Sequence, residues 1–338
     1  MTMPRGTLHS GKLPFPLLRE LLASPVGLPA EVKLGPAIGE DACAIEVPGG
    51  VLIAGTDPIT LTSSSVGAHA VLCNANDVAV MGVRPRWFLA AVLLPEGTSE
   101  DDVRALFRMT REALAQVGAS LVGGHTEVTS AVTQPVVVGQ MLGLSTSGHF
   151  VRSGGLGAGD VVLQVGAAPV EGAAVLAAEA RDLSALPQEL VARARAALRE
   201  PGISVVEPAL LAADLGATAL HDPTEGGLAM GLYELAEASG LALRVATGEV
   251  LWFEPGCAIC RAVGADPWGT LASGTLLAGF PGARAEAASS ALGARGFQVR
   301  TIARVEPGSG VADEPGRALP RFERDEVARV LESGPAEG

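Results

Sequence analysis

The acids of this chain stand in unusually apolar company. Gly39-Glu40-Asp41-Ala42 leads into the apolar run Cys43 to Val47, and Asp57 follows the run Val51 to Gly55. Asp77 sits inside the stretch Ser65 to Met81, where its neighbours are nearly all Ala, Val, Leu, Cys and Asn. Glu127 follows Gly123-Gly124-His125-Thr126, and Asp222 opens Asp222-Pro223-Thr224-Glu225-Gly226-Gly227 directly after Ala217 to His221. A lone aspartate among alanines and valines lowers helix propensity and is costly to bury unpaired. Carboxylates at strand ends that face a common edge can share one hard cation and stay ionised, which points to a magnesium site. Asp41 and Asp57 also fit as turn residues, whereas Asp77 does not fit as a cap, because Asn74, Ala75 and Asn76 precede it without a break. Asp222 or Thr224 fits as the N-cap of the next helix, whose free N–H groups could equally face a phosphate–metal complex. His125, beside Glu127, reads either as a hydrogen-bonded core histidine or as a group lining the site.

Around these residues the apolar spacing sets out the elements. Phe15 to Ala23 has helical spacing; Cys43 to Val47 and Val51 to Gly55 form a hairpin turning at Pro48-Gly49-Gly50. Ser65 to Met81 is a small-residue helix ending at Gly82, Trp87 to Leu94 a strand, and Ser99 to Val117 an amphipathic helix with Ser99 as N-cap. Leu121 to Gly124 and Pro135 to Gly143 are apolar strand runs. The glycine-dense Ser153 to Asp160 superficially matches a phosphate loop, but the β-branched run Val161 to Val165 follows where such a loop must open a helix. It is read as an interdomain turn.

The second half repeats the mixture: helices around Pro169 to Ala180, Pro187 to Leu198, Val205 to Leu215, Glu225 to Ser239 and Ala283 to Leu292, and strands Val161 to Val165, Ala217 to His221, Leu241 to Val245, Thr275 to Phe280 and Gln298 to Val305. Without regular βαβ alternation the expected class is α+β. The expected domains are 1–152 and 153–310, followed by a tail, 311–338, with one surface helix over Phe322 to Leu331 and a disordered end from Glu332.

Composition excludes several functions. A net charge of −13 and only three Trp, one Tyr and eight Phe in 338 residues argue against a nucleic-acid partner. The same charge permits a nucleotide whose phosphates are neutralised by Mg²⁺ on carboxylates. Met1 to Pro14 has no apolar signal core, and the uncharged stretch Val128 to Val151 is broken by polar residues and Pro135, so a cytoplasmic protein without membrane spans is expected. The four cysteines are too scattered for a disulfide framework, and the lone Cys257-x-x-Cys260 reads as two small residues on a helix after Pro255. No P-loop lysine motif, G-x-S-x-G, H-E-x-x-H or protein-kinase signature is present.

Taken in order, the motifs resemble the aminoimidazole ribonucleotide (AIR) synthetase superfamily. Its members include that purine enzyme, selenophosphate synthetase, thiamine-monophosphate kinase and the hydrogenase-maturation carbamoyl dehydratase. The matching strings are Ile38 to Ile45, Thr56-Asp57-Pro58, Asn74 to Gly82 with Arg84-Pro85, Gly123 to Glu127, Gly154-Gly155 through Gly159-Asp160, and Asp222 to Gly227. The strings around Asn76-Asp77 and Asp222 most resemble the dehydratase branch. The resemblance implies a two-domain PurM-like fold whose N-terminal domain dimerises through its strands. It further implies ATP in a cleft near the dimer interface, with Mg²⁺ on Asp41, Asp57, Asp77 and Asp222. Asn76, His125 and Glu127 would then line the nucleotide or substrate pocket, and Lys12 could neutralise a phosphate or remain a solvated surface lysine.

The implied chemistry is phosphoryl transfer from ATP to a small substrate, which needs positioning and metal charge rather than a protein nucleophile. Three departures bear on the branch. No cysteine follows Cys260, so the hydrogenase role in its known form, with substrate on a C-terminal cysteine, is not expected. His125 stands where the kinase and dehydratase branches often have Asp, with Glu127 nearby as an alternative ligand. His9-Ser10-Gly11-Lys12 lacks the reactive residue of selenophosphate synthetase. Three competing readings are a small-molecule kinase, a nucleotide-binding accessory dimer without turnover, and a zinc protein built on Cys257 and Cys260.

Overall fold

Alternating burial builds the first sheet. In the computed structural model, which describes residues 11–23, 27–60, 62, 65–180 and 182–332, β4 (Trp87–Leu94) buries Phe88, Ala90, Val92 and Leu94 and turns the intervening residues away. The strand β3 (Gly50–Ile59), hairpin partner of β2 (Cys43–Val47), and the strand β6 (Val136–Ser145) follow the same period over most of their length. With β1 (Val32–Leu34) and β5 (Ser120–Val128) they form a six-stranded sheet in the order β1-β2-β3-β6-β4-β5. Only β4 and β5 run parallel in it. Helices α2 (Val66–Ala79) and α3 (Glu100–Val117) cover its buried face. Every side chain of α2 except Ala68 is buried. Ser99 closes a capping box with Asp102, and left-handed Gly118 ends α3.

The second sheet has the order β12-β9-β11-β7-β10-β8. Its strands are β7 (Asp160–Val165), β8 (Ala219–His221), β9 (Ala242–Val245), β10 (Leu276–Pro281), β11 (Val299–Glu306) and β12 (Gly310–Asp313). Around it lie α4 (Glu171–Glu179), α5 (Gln188–Ala196), α6 (Val206–Asp214), α7 (Gly227–Ser239), α8 (Glu254–Val263) and α9 (Gly282–Ala294). The fold is therefore a two-domain, PurM-like α+β arrangement of two mixed sheets. A single apolar core cluster crosses between them, joining Met81 and Val151 to Ala209, Ala212 and Leu220.

Several expectations change. Asp57 lies within β3, which runs past it to Ile59, so it is a strand residue rather than a turn residue. β1 and β12 escape the sequence reading because each is short and sits at a sheet edge. The segment expected as a surface helix forms α10 (Glu326–Glu332), whose Glu326, Val327 and Ala328 are buried and which packs against α4. The disordered end expected beyond it falls mostly outside the described residues. Among the described residues no helix is long and apolar enough to cross a membrane.

Candidate active site

Asp77 is held in the middle of α2 by a close approach to β3. A Cβ on Gly55 would stand 3.0 Å from the Asp77 Cβ, so glycine there lets helix and strand meet. One turn earlier, Asn74 clamps the backbone of Asp57: the Asp57 N–H donates to Asn74 Oδ1 at 2.9 Å, and Asn74 Nδ2 donates to the carbonyls of Ala70 (2.8 Å) and Asp57 (3.3 Å). Asp41 follows Glu40, whose nearly inaccessible carboxylate accepts from Arg152 (2.9 and 3.1 Å) and from the backbone of Ser153 and Gly154. Glu40 therefore ties the Asp41 loop to the glycine-dense turn, and Ser153 Oγ donates onward to Asp41 Oδ2 at 3.1 Å.

From the other domain comes His221, the last residue of β8. Its Nδ1 lies 2.9 Å from Asp41 Oδ2 and its Nε2 3.1 Å from Glu234 Oε2. Two carboxylates on the two ring nitrogens demand a donor at both, which only imidazolium provides. Burial opposes that charge, but Asp41 and Glu234 outweigh it and push His221 to about 10. Glu234 is itself disfavoured by burial yet drawn down to about 2 by Lys12 and His221. Lys12 Nζ reaches Glu234 at 3.0 Å and Thr224 at 3.3 Å. Its side chain is 45% exposed overall, with the ammonium directed at Glu234. Burial works against that charge and is overcome by Glu234, Glu225 and Asp41, which raise its pKa.

Asp222 does not cap α7. The N-cap is Gly226, without a side-chain bond, so the structural explanation for Asp222 and Thr224 falls away. Both Asp222 carboxylate oxygens are buried without a hydrogen-bond partner. Its pKa stands well above the usual carboxylate range, through burial first and then the field of Asp41 and Asp57, eased by His221 and the nearby Asn76 amide. Burial, Asp57 and Asp222 push Asp77 up in the same way, and burial sends Asp57 to about 6 despite Lys12. Asp57, Asp77 and Asp222 thus resist ionisation together, and a positive charge placed among them would favour their ionised forms.

The fit to a magnesium ion is of a particular kind. Among the described residues no three His, Cys, Asp or Glu side chains converge into a ready-made metal cage. Mg²⁺ keeps several waters and binds through one or two carboxylates plus phosphate oxygens. Separate acids, among which Asp222 has both oxygens unpartnered, match that habit better than a preformed chelate would. Cys257 and Cys260 are not joined by a third converging His, Cys, Asp or Glu among the described residues, and the Cys260 Sγ lies 3.4 Å from Thr270 Oγ1.

The remaining expected site residues divide between the edge of the site and the far side of the sheet. Asn76 spends its amide on the second domain, donating to the Ile203 carbonyl (2.9 Å) and accepting from the Val205 N–H (2.8 Å), so it staples the halves. His125 and Glu127 are exposed on β5, 3.4 Å apart. The register runs from Pro58 through Val138 and Ala91 to His125, three strand spacings or roughly 14 Å away in the sheet. Within one chain the structure does not bring them to the four aspartates. His221, Glu234 and Ser153 were missed by sequence reasoning. A histidine ending an apolar strand just before Asp222 was the only available signal.

Residues 39–145 match the domain family described as AIR synthase related protein, N-terminal domain, and residues 157–314 match its C-terminal domain. The chain belongs to the AIR synthase-related family. Within it the chain is similar to the carbamoyl dehydratase HypE of Rhodobacter capsulatus, 31% identical over 296 residues covering 84% of this chain and 83% of the relative. The carbamoyl dehydratase HypE of Azotobacter vinelandii is 30% identical over 286 residues, 81% of this chain and 79% of that one. Among solved structures, the hydrogenase maturation protein HypE in complex with ATP superposes with a TM-score of 0.69 at 24% identity, covering 87% of this chain and 92% of that chain. AaThiL complexed with AMPPCP and TMP gives 0.72 at 20% identity, covering 91% and 94%. These two likenesses are of fold. The family spans contain Asp41, Asp57, Asp77, His125, Glu127 and Asp222; Lys12 lies outside them.

Proposed function

We propose that this protein is a HypE-like, ATP-dependent enzyme that activates a small substrate by phosphoryl transfer. Asp41, Asp57, Asp77 and Asp222 would hold Mg²⁺ with the nucleotide. The observation that carries this reading is Asp222: a buried carboxylate with both oxygens unpartnered, set against acids from the other domain whose ionisation it opposes. The HypE relatives and the ATP complex of a protein with this fold support the choice of nucleotide. Bound Mg-ATP supplies the transferable phosphoryl group and the charge that lets the acids ionise.

The chain's own contribution is placement. Asn74 fixes Asp57, Ser153 and His221 fix Asp41, and Lys12 remains a cation at the rim held by Glu234. His221, locked as imidazolium between two carboxylates, holds its proton and orients Asp41 rather than shuttling it.

A homodimer through β5 completes the proposal. All nine residues of that edge strand are exposed, including Leu121, Val122 and Val128. A long apolar edge of this kind is normally paired. It would bring His125 and Glu127 to the interface rather than to solvent.

Phosphate release from ATP tests the catalytic claim. The wild type with Mg²⁺ is expected to turn over, and Asp57→Asn to lose about 10²-fold, the scale for one preorganised electrostatic group. Nucleotide binding without any turnover would instead leave a non-catalytic accessory dimer. Phosphate found on an acceptor rather than in solution would assign a kinase like thiamine-monophosphate kinase.

A further inference from the structure

Helix α7 begins where the Asp222 loop ends, and it carries Glu234, the carboxylate shared by His221 and Lys12. Its start offers few side chains to hold that loop. Gly226 and Gly227 both stand at positive φ, +83° and +67°, and a Cβ on Gly227 would run into the Trp268 carbonyl. The Thr224 carbonyl accepts from the Gly227 N–H at 3.0 Å and from the Ala272 N–H at 3.3 Å, so the loop is held there by backbone alone. In a capping box the N–H of the N-cap residue is bonded by a side chain three residues further on. Here that residue is Ala229, which has no polar side-chain atom.

The acceptor comes instead from the C-terminal segment. Asp325 Oδ2 accepts from the Gly226 N–H at 2.8 Å, 99 positions away in the chain, while Oδ1 accepts from the Val327 N–H at 2.7 Å. One carboxylate thus caps its own helix, α10, and closes the N-terminus of α7 as well. Asp325 is 2% exposed. Burial raises its pKa to about 7, against the pull of the Gly226 and Val327 N–H groups toward the charged form. A serine would cap α10 without that cost, so the local cap does not by itself account for a carboxylate here.

The segment carrying Asp325 is fastened beside α7. Tyr233 Oη donates to the Leu319 carbonyl at 2.8 Å, and the Arg321 guanidinium lies 4.0 Å from the centre of the Tyr233 ring. The Phe322 ring occupies the space that a Cβ on Gly269 would fill, and Glu326 accepts from the Asp266 N–H at 2.8 Å. Asp325 lies beyond residue 314, where the match to the family's C-terminal domain ends.

We propose that Asp325 is a positioning residue of the active site: through the Gly226 N–H it fixes the loop from Asp222 to Gly227, and with it the direction of the Asp222 carboxylate. The metal-holding role of Asp222 rests on the phosphoryl-transfer reading; the clamp on the loop does not.

The test compares Asp325→Ser with Glu326→Ala in the full-length protein. Serine keeps the local cap on α10 but is too short to reach Gly226. Glu326→Ala loosens the same segment at Asp266 and leaves the Gly226 bond in place. Hydrogen exchange over residues 223–231 is expected to quicken about tenfold in Asp325→Ser, the scale of one lost hydrogen bond to a charged group, and to change less than about twofold in Glu326→Ala. The Mg²⁺ concentration that half-saturates ATP binding should rise about tenfold in Asp325→Ser alone. Asp325→Asn, which keeps the length and one acceptor, should recover part of both effects. Unchanged exchange in Asp325→Ser, equally fast exchange in both variants, or faster exchange with no shift in the Mg²⁺ requirement overturns the proposal. A wild type that binds no ATP while the exchange pattern holds defeats the functional reading alone. ATP binding without the exchange pattern defeats this inference alone.

Discussion

At the scale of single residues, the site shows side chains held in states the isolated amino acids would avoid. Asp222 is the clearest: buried, unpartnered and pushed toward its neutral form. Such a group weakens the ligand-free fold, a cost that the proposed metal–nucleotide role would explain. Asp222→Asn removes the charge and keeps the shape. In metal-free buffer the variant is expected to be more stable than the wild type by about 1 kcal/mol, read as a higher urea midpoint. A lower midpoint would mean that the carboxylate has partners in the free protein. Glu40 is the contrasting acid: fully engaged by Arg152 and the Ser153–Gly154 backbone, it serves the fold even though it neighbours Asp41 in the same motif.

At the scale of elements, β8 and α7 of one domain meet the Asp41 loop of the other through the Asp41–His221–Glu234 chain. His221 is raised to about 10 from an ordinary value near 6.5. A raised histidine contributes stability that is fully present below its unfolded value and is lost as pH climbs through the folded one. The advantage of the wild type over His221→Gln is therefore expected to be about 3 kcal/mol near neutrality, where Asp41 loses its cation and Glu234 keeps only Lys12. It should shrink steadily between pH 6.5 and 10; urea unfolding across that range reads it, and a pH-independent difference would contradict it.

Much of this scale was legible in the sequence. Period two gave Trp87–Leu94 to the residue, and Ser99 with its following acids gave the start of α3. The exposed face of β5 was not legible, because an apolar run reads alike whether its neighbour is a sheet or a second chain. Asn76 has a second task that the sequence does not announce: its amide stands near Asp222, and only the packing of α2 against the Ile203–Val205 backbone reveals that it also staples the halves. The order of the aspartates along the chain was legible, but their mutual electrostatic strain appears only in the packing of the two domains against each other. For β5 itself, Val122→Asp, placed at a 54% exposed position, is expected to convert a dimer into monomer by light scattering without loss of helix or strand content. A dimer of unchanged stability would place the interface elsewhere.

At the scale of the whole molecule, the two sheets share one apolar core and one acidic centre, and neither half contains the site alone. Asp41, Asp57 and Asp77 come from residues 39–145, and Asp222 and His221 from residues 157–314. The proposed site therefore needs residues of both domains, and nucleotide is expected to bind only where the two are joined. Titration calorimetry of ATP into the full-length protein, with and without Mg²⁺, reads this directly. Saturable Mg²⁺-dependent binding by the wild type is expected, weakened by at least about a hundredfold in both Asp77→Asn and Asp222→Asn, the cost of a lost charge-assisted contact in a desolvated site. No binding by the wild type, or equal affinity in both variants, would contradict the account.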